Sequence, residues 1–133
     1  MVARRNPFQY ATVRVVPDIA RGEFVNVGVI LLCRTKRYLG ARVRLDERRL
    51  AAIAPDLDPA TVHPHLEAIV RIAAGDPDAG PIARLTLAER FHWLVAPSST
   101  IIQPSETHTG LCADPETELE HLVERLVGVP AAG

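Results

Sequence analysis

Val25-Asn26-Val27-Gly28-Val29-Ile30-Leu31-Leu32-Cys33 decides the fold. Nearly every position is apolar or β-branched, the pattern of a strand covered on both faces, which places it centrally in a sheet. Upstream, Tyr10 to Val16 alternates, with Ala11, Val13 and Val15 on one side and Tyr10, Thr12 and Arg14 on the other. That period of two marks a half-buried strand, and Pro17-Asp18 ends it. Downstream, Arg34 to Arg37 reads as a basic turn, after which Tyr38 to Leu45 sets Val43 and Leu45 against Arg42 and Arg44. Three antiparallel strands in a meander follow.

From Asp46 the period lengthens. Asp46 caps a short helix, Leu45 and Leu50 form its hydrophobic staple, and Pro55 stops it. A second helix starts at Asp58-Pro59, or at Pro64, carries Val62, Leu66, Ile69, Val70 and Ala73 on one face, and ends at Gly75. The segment from Asp76 to Pro81 is loop chemistry too short to link two domains. Thr86 and Glu89 have capping-box spacing before Phe91, Trp93 and Leu94. Ser99 to Gln103 reads as a fourth strand. Asp114-Pro115 opens a last helix with Leu119, Leu122, Val123, Leu126 and Val127 on its apolar stripe and acids on its outer face. The sum is one α+β domain over residues 1–133, ordered from about 8 to 128: an antiparallel sheet of about four strands covered by three to four helices.

At 133 residues and 47% apolar, the chain can bury a real core without a disulfide or metal staple. The opening Met-Val-Ala-Arg4-Arg5 is followed by no apolar export segment, and the longest apolar run, Val27 to Cys33, is too short to span a bilayer, so a cytoplasmic protein without membrane contact is expected. Cys33 and Cys112 match neither a redox pair nor a zinc ribbon and are expected to be reduced thiols. Charge is uneven along the chain. Residues 1–49 carry eleven basic side chains against four carboxylates, net +7, and residues 50–133 carry four against twelve, net −8. Either the two halves neutralise each other on folding, or one face seeks anions.

Two segments carry more polarity than their positions call for. Glu23 stands at the mouth of the most apolar strand, with Asn26 and Gly28 inside it. An amide buried there needs a partner, and a glycine within a strand lets another backbone or a ligand come close. One reading is a bulge with Asn26 bonded to a neighbouring loop; the other is a ligand pocket. The second segment groups Ser99, Thr100, Gln103, His108 and Thr109, hydroxyls and an imidazole that can hold a phosphate or polarise a substrate, or that simply bond their own turns. Candidate catalytic residues are therefore Glu23 and His108; candidate ligand contacts are Asn26, Gly28, Ser99, Thr100, Gln103 and Thr109. Glu23, His108 and Ser99 are the residue types of a nucleophilic triad, though no spacing ties them together. His63 and His65 point to different sides of a helix, so no metal site is expected, and no cofactor motif is present. The basic residues from Arg34 to Arg49 could contact phosphates, but few aromatics and a pI near 6.5 argue against nucleic acid.

Two blocks carry a resemblance: Arg21-Gly22-Glu23-Phe24-Val25-Asn26-Val27-Gly28-Val29-Ile30-Leu31, and Phe91-His92-Trp93-Leu94 running to Ser99-Thr100-Ile101-Ile102-Gln103-Pro104-Ser105 and His108-Thr109-Gly110. Together, over about Tyr10 to Val127, the chain resembles the bacterial domain-of-unknown-function family 3037. The family has no assigned reaction. Its members are often encoded beside HipA-like serine/threonine kinases, which implies a physical or regulatory link. The resulting expectation is a binding or accessory protein with such a kinase as partner; the alternative is a small enzyme or ligand-binding domain whose pocket joins the two polar segments.

Overall fold

Strand β2 (Val25–Cys33) runs through the sheet interior, with eight of its nine residues buried. The computed structural model describes residues 5–98 and 100–128. Within them β2 pairs antiparallel with β1 (Asn6–Val15) on one side and β3 (Tyr38–Val43) on the other. The far side of β1 holds two short strands, β4 (Ile102–Pro104) beside its second half and β5 (His108–Cys112) beside its first. The meander is as the alternation predicts, closed by a turn in which the Arg37 N–H donates to the Arg34 carbonyl at 3.0 Å. Two boundaries differ. The fourth strand begins at Ile102, with Ser99 outside the described residues, and His108 to Gly110, read from sequence as loop, form part of β5. Their hydroxyl-rich sequence has no alternation of its own, and β1 supplies the ladder that makes them a strand.

Strand β2 is apolar throughout because both its faces are covered, and a bulge sets which residue faces which side. Val13 pairs with Gly28 and Arg14 with Asn26, so Val27 is an extra residue that reverses the inside–outside phase of the strand. On one face Val25, Val27, Ile30 and Leu32 join a core with Val13, Val15 and Leu39; on the other, Val29, Leu31 and Cys33 join Phe8 and Cys112. Gly28 lies at the bulge, where an added Cβ would sit 2.8 Å from the Arg42 carbonyl oxygen of β3. What comes close at this glycine is another backbone.

Three helices cover the first face: α1 (Glu47–Ile53), α2 (Pro59–Ala74) and α3 (Leu87–Leu94), bringing Leu50, Val62, Leu66, Ile72, Phe91 and Leu94 to the core. Their starts follow the cap residues. Asp46 accepts from the Arg48 and Arg49 amides, Asp58 from Ala60, and Thr86 and Glu89 form the reciprocal capping box. Pro64 lies inside α2, whose start is Pro59, and Gly75 ends the helix in the left-handed conformation, φ 74°. The second face is covered by α4 (Pro115–Leu126) through Leu119, Leu122 and Val123. Among the described residues no helix is long and apolar enough to cross a membrane.

The opposite charges of the two sequence halves meet across β3 and α4. Arg42 lies 3.0 Å from Glu120 and 3.7 Å from Glu116, and Arg44 3.2 Å from Glu124. Alternate strand residues advance about 6.7 Å and four helical residues about 6 Å, so the two rows stay in step. All five side chains are substantially exposed, and each pair contributes about 0–1 kcal/mol. The row thus aligns α4 more than it stabilises the fold.

Candidate functional site

A concavity lies on the three-helix face, between α2, the C-terminal end of α3 and β4. It is a cleft of about 380 Å³ with Val13 and Ile30 as part of its floor. Helix α2 presents His65, Ala68, Ile69 and Ile72 at successive helical turns along one wall. The opposite wall is formed by Trp93 and Leu94 with the extended Ala96–Ser98 segment, and β4 closes the side with Thr100, Ile102 and Pro104. Apolar groups dominate this surface; His65, Ser98 and Thr100 supply polar ones. Trp93 is 52% exposed, a large aromatic group left in solvent beside an apolar hollow.

The β4 side of the cleft is closed to strand addition. Ile101 accepts from Val16 N–H at 2.7 Å and Ser105 N–H donates to Thr12 at 2.8 Å, so odd-numbered residues here turn toward β1 and even-numbered ones outward. The outward Ile102 carbonyl accepts the Thr100 hydroxyl at 2.7 Å, and the Thr100 carbonyl accepts the Gln103 amide at 2.8 Å. Pro104 has no N–H to offer. A ligand in the cleft therefore finds mainly side chains to contact, with few strand groups left to pair.

The sequence-derived candidates fall in several places. Thr100 lines the cleft, and Gln103 bonds to it. Ser99 lies outside the described residues. Glu23 precedes β2 and pairs with the Arg21 guanidinium at 2.6 Å, with both side chains exposed. Asn26 points to the α4 face, where its amide donates to the Leu126 carbonyl at 3.1 Å, at the end of a helix and not in the neighbouring loop the bulge reading expected. Across the sheet, Asn26 and Gln103 flank Arg14 in one row, with the Phe24 ring 4.2 Å from the guanidinium. His108 pairs with Tyr10 and stacks on its ring at 5.2 Å. Thr109 pairs with Gln9 beside a second hollow of about 250 Å³. The structure thus brings Thr100 to Gln103, and Asn26 and Gln103 to Arg14; it does not bring Glu23, Asn26 and His108 to one another.

His65, Ala68 and Trp93 escaped the sequence reading because they sit on helices whose apolar positions already read as core. The one available signal was Trp93 itself, an aromatic in a short helix beside the polar positions His92 and Glu89. Cys33 and Cys112 are both buried and free, and burial pushes the Cys112 thiol up to about 11. It remains a protonated thiol at neutral pH.

These features define a class: a small α+β fold built on an antiparallel sheet, with helices on both faces and an open apolar cleft. The chain belongs to the DUF3037 family, described as protein of unknown function, whose family model matches residues 10–127. Comparison with curated proteins and with solved structures found no match.

Proposed function

We propose that this protein is a binding or accessory protein whose working surface is the cleft between α2, α3 and β4, which receives an apolar side chain or short apolar segment of a protein partner. The observation that carries this reading is the half-exposed Trp93 beside about 380 Å³ of mainly apolar hollow. Aromatic anchors next to desolvated pockets are where binding energy concentrates at protein interfaces. The family resemblance makes a HipA-like serine/threonine kinase the partner to try first. The test is co-expression of the tagged protein with such a kinase. Ala68 is exposed on the α2 wall, so Ala68→Arg fills the cleft without entering the core. Ala68→Arg and Trp93→Ala should lose the kinase while Glu23→Gln retains it. Recovery of equal kinase with Ala68→Arg would refute the assignment.

A second reading has its own support on the α4 face. Thr12 Oγ1, Arg14 Nε and Asn26 Oδ1 are buried without a hydrogen-bond partner among the described residues, and all three residues lie in or beside the row that includes Gln103. The two donors among them, Arg14 Nε and the Thr12 hydroxyl, favour a small anionic ligand bound by Arg14 with Gln103 beside it, and Asn26 Oδ1 is left to accept from a hydroxyl or protonated group of that ligand. Inorganic phosphate and simple carboxylates, tested by thermal shift, should raise the melting temperature of the native protein and not of Arg14→Met. No shift with either class would dispose of this reading.

A further inference from the structure

We propose that the protein forms a two-fold dimer by pairing strand β5 with β5 of a second copy, extending the sheet across both subunits. The argument starts from the ladder between β1 and its short neighbours. Thr12 accepts from the Ser105 N–H, and its own N–H donates to Ser105 Oγ at 2.9 Å, so even-numbered residues of β1 face this edge. Between Val13↔Pro104 and Tyr10↔His108, β1 has two residues where the opposing chain has three. The extra residue reverses the phase. In β5 it is therefore His108, Gly110 and Cys112 that turn toward β1, opposite Tyr10, Phe8 and Asn6, and Thr109 and Leu111 whose N–H and C=O groups turn outward.

Strand β5 pairs with β1 alone, and none of those outward groups has a hydrogen-bond partner among the described residues. The contrast with β4 on the same edge is sharp, since there Thr100, Gln103 and Pro104 close the outward positions. Edge strands are ordinarily guarded by charge, proline or cover. His108-Thr109-Gly110-Leu111-Cys112 contains no Asp, Glu, Lys, Arg or Pro, and Leu111 is 56% exposed.

The occupant that fits is the same strand. An antiparallel pair with its two-fold axis at Gly110 sets Thr109 opposite Leu111 of the second copy, and Leu111 opposite its Thr109. Each such pair exchanges both N–H···O bonds, so every outward group of one copy meets its complement on the other. A partner of arbitrary sequence could also pair, but the spacing of two open residues around one glycine is self-complementary as it stands. The absence of charge on β5 removes the repulsion that would oppose like strands meeting.

Sedimentation equilibrium of the full chain over a concentration series tests this, with far-UV circular dichroism and melting temperature to follow folding. The wild type should populate a dimer. Leu111→Pro removes an N–H that points away from β1, so it should keep the fold and weaken the dimer roughly tenfold or more. If Leu111→Pro does not fold, Thr109→Lys, at an exposed position, places like charges on the paired edges and should give a folded monomer whose melting temperature, unlike that of the wild type, does not rise with protein concentration. A wild type that stays monomeric at the highest concentration, or a folded Thr109→Lys as dimeric as the wild type, would overturn the proposal.

Discussion

Gly28→Ala separates two reasons for a glycine in the most apolar strand of the protein. The new Cβ would lie 2.8 Å from the Arg42 carbonyl oxygen and 2.9 Å from Val43 Cγ1. Relief requires moving the backbone of β3, which is held by its ladder to β2 and aligned by the Arg42 and Arg44 pairs with α4. Overpacking of this kind costs about 1–3 kcal/mol. Alanine returns about 0.5–1 kcal/mol by restricting the unfolded chain, since Gly28 has no positive φ to lose. The net loss is about 0–2.5 kcal/mol, with a middle value of about 1.3 kcal/mol. With an unfolding entropy of about 2.1 cal/mol/K per residue over 133 residues, calorimetry should show a melting temperature lower by about 5 °C, and by no more than about 9 °C. Were the glycine there to admit a ligand, the variant would melt at or above the wild-type temperature and lose binding instead. That outcome would refute the packing explanation.

Ser105→Ala leaves the buried Thr12 N–H without an acceptor, at a cost of about 1–3 kcal/mol. It should lower the urea midpoint and speed exchange of the Thr12 amide; an unchanged midpoint would show that the hydroxyl is replaceable. Cys33 and Cys112 should resist a thiol-directed disulfide reagent at pH 8 and both react in denaturant, because burial holds the Cys112 thiol near 11 and shields both sulfurs. Fast native labelling would contradict that packing. Asp76, Glu89 and Asp114 are held below their ordinary values of 3.8, 4.5 and 3.8 by Arg71, Thr86 and Thr117 respectively. Their contribution is whole above those ordinary values and is lost as pH falls through the depressed native ones, so the melting temperature should fall progressively below about pH 4.5. A melting temperature that holds or rises on acidification from pH 5 to 3 would show that these carboxylates do not contribute.

Elements whose own sequence carries a period were legible before any coordinates. The alternation of Tyr10 to Val16, the unbroken apolar run of β2, and the stripe of Leu119, Leu122, Val123 and Leu126 each report the layer they pack against. So do the caps Asp46, Asp58, Thr86 and Asp114, because capping is local chemistry. Strand β5 was not legible: Thr109 and Gly110 have little intrinsic preference for a strand and are held by β1, a hundred residues earlier. The bulge was one of two readings of Asn26 and Gly28, but the partner of Asn26, the end of α4 a hundred residues later, left no mark in the local sequence. The cleft was the least visible feature, since its walls come from α2, α3, β1, β2 and β4, and an apolar helix residue in a cleft looks, in sequence, like one in the core. Thr100 alone marked it in advance.

The protein contains a single tryptophan, and Trp93 stands at the rim of the cleft. Its emission therefore reports on that one place without added label or background from a second indole. A group that seats against the ring and displaces water should shift the emission to shorter wavelength, whereas pairing at the β5 edge should leave the spectrum unmoved. Occupancy and self-association can thus be followed separately in one cuvette of unmodified protein.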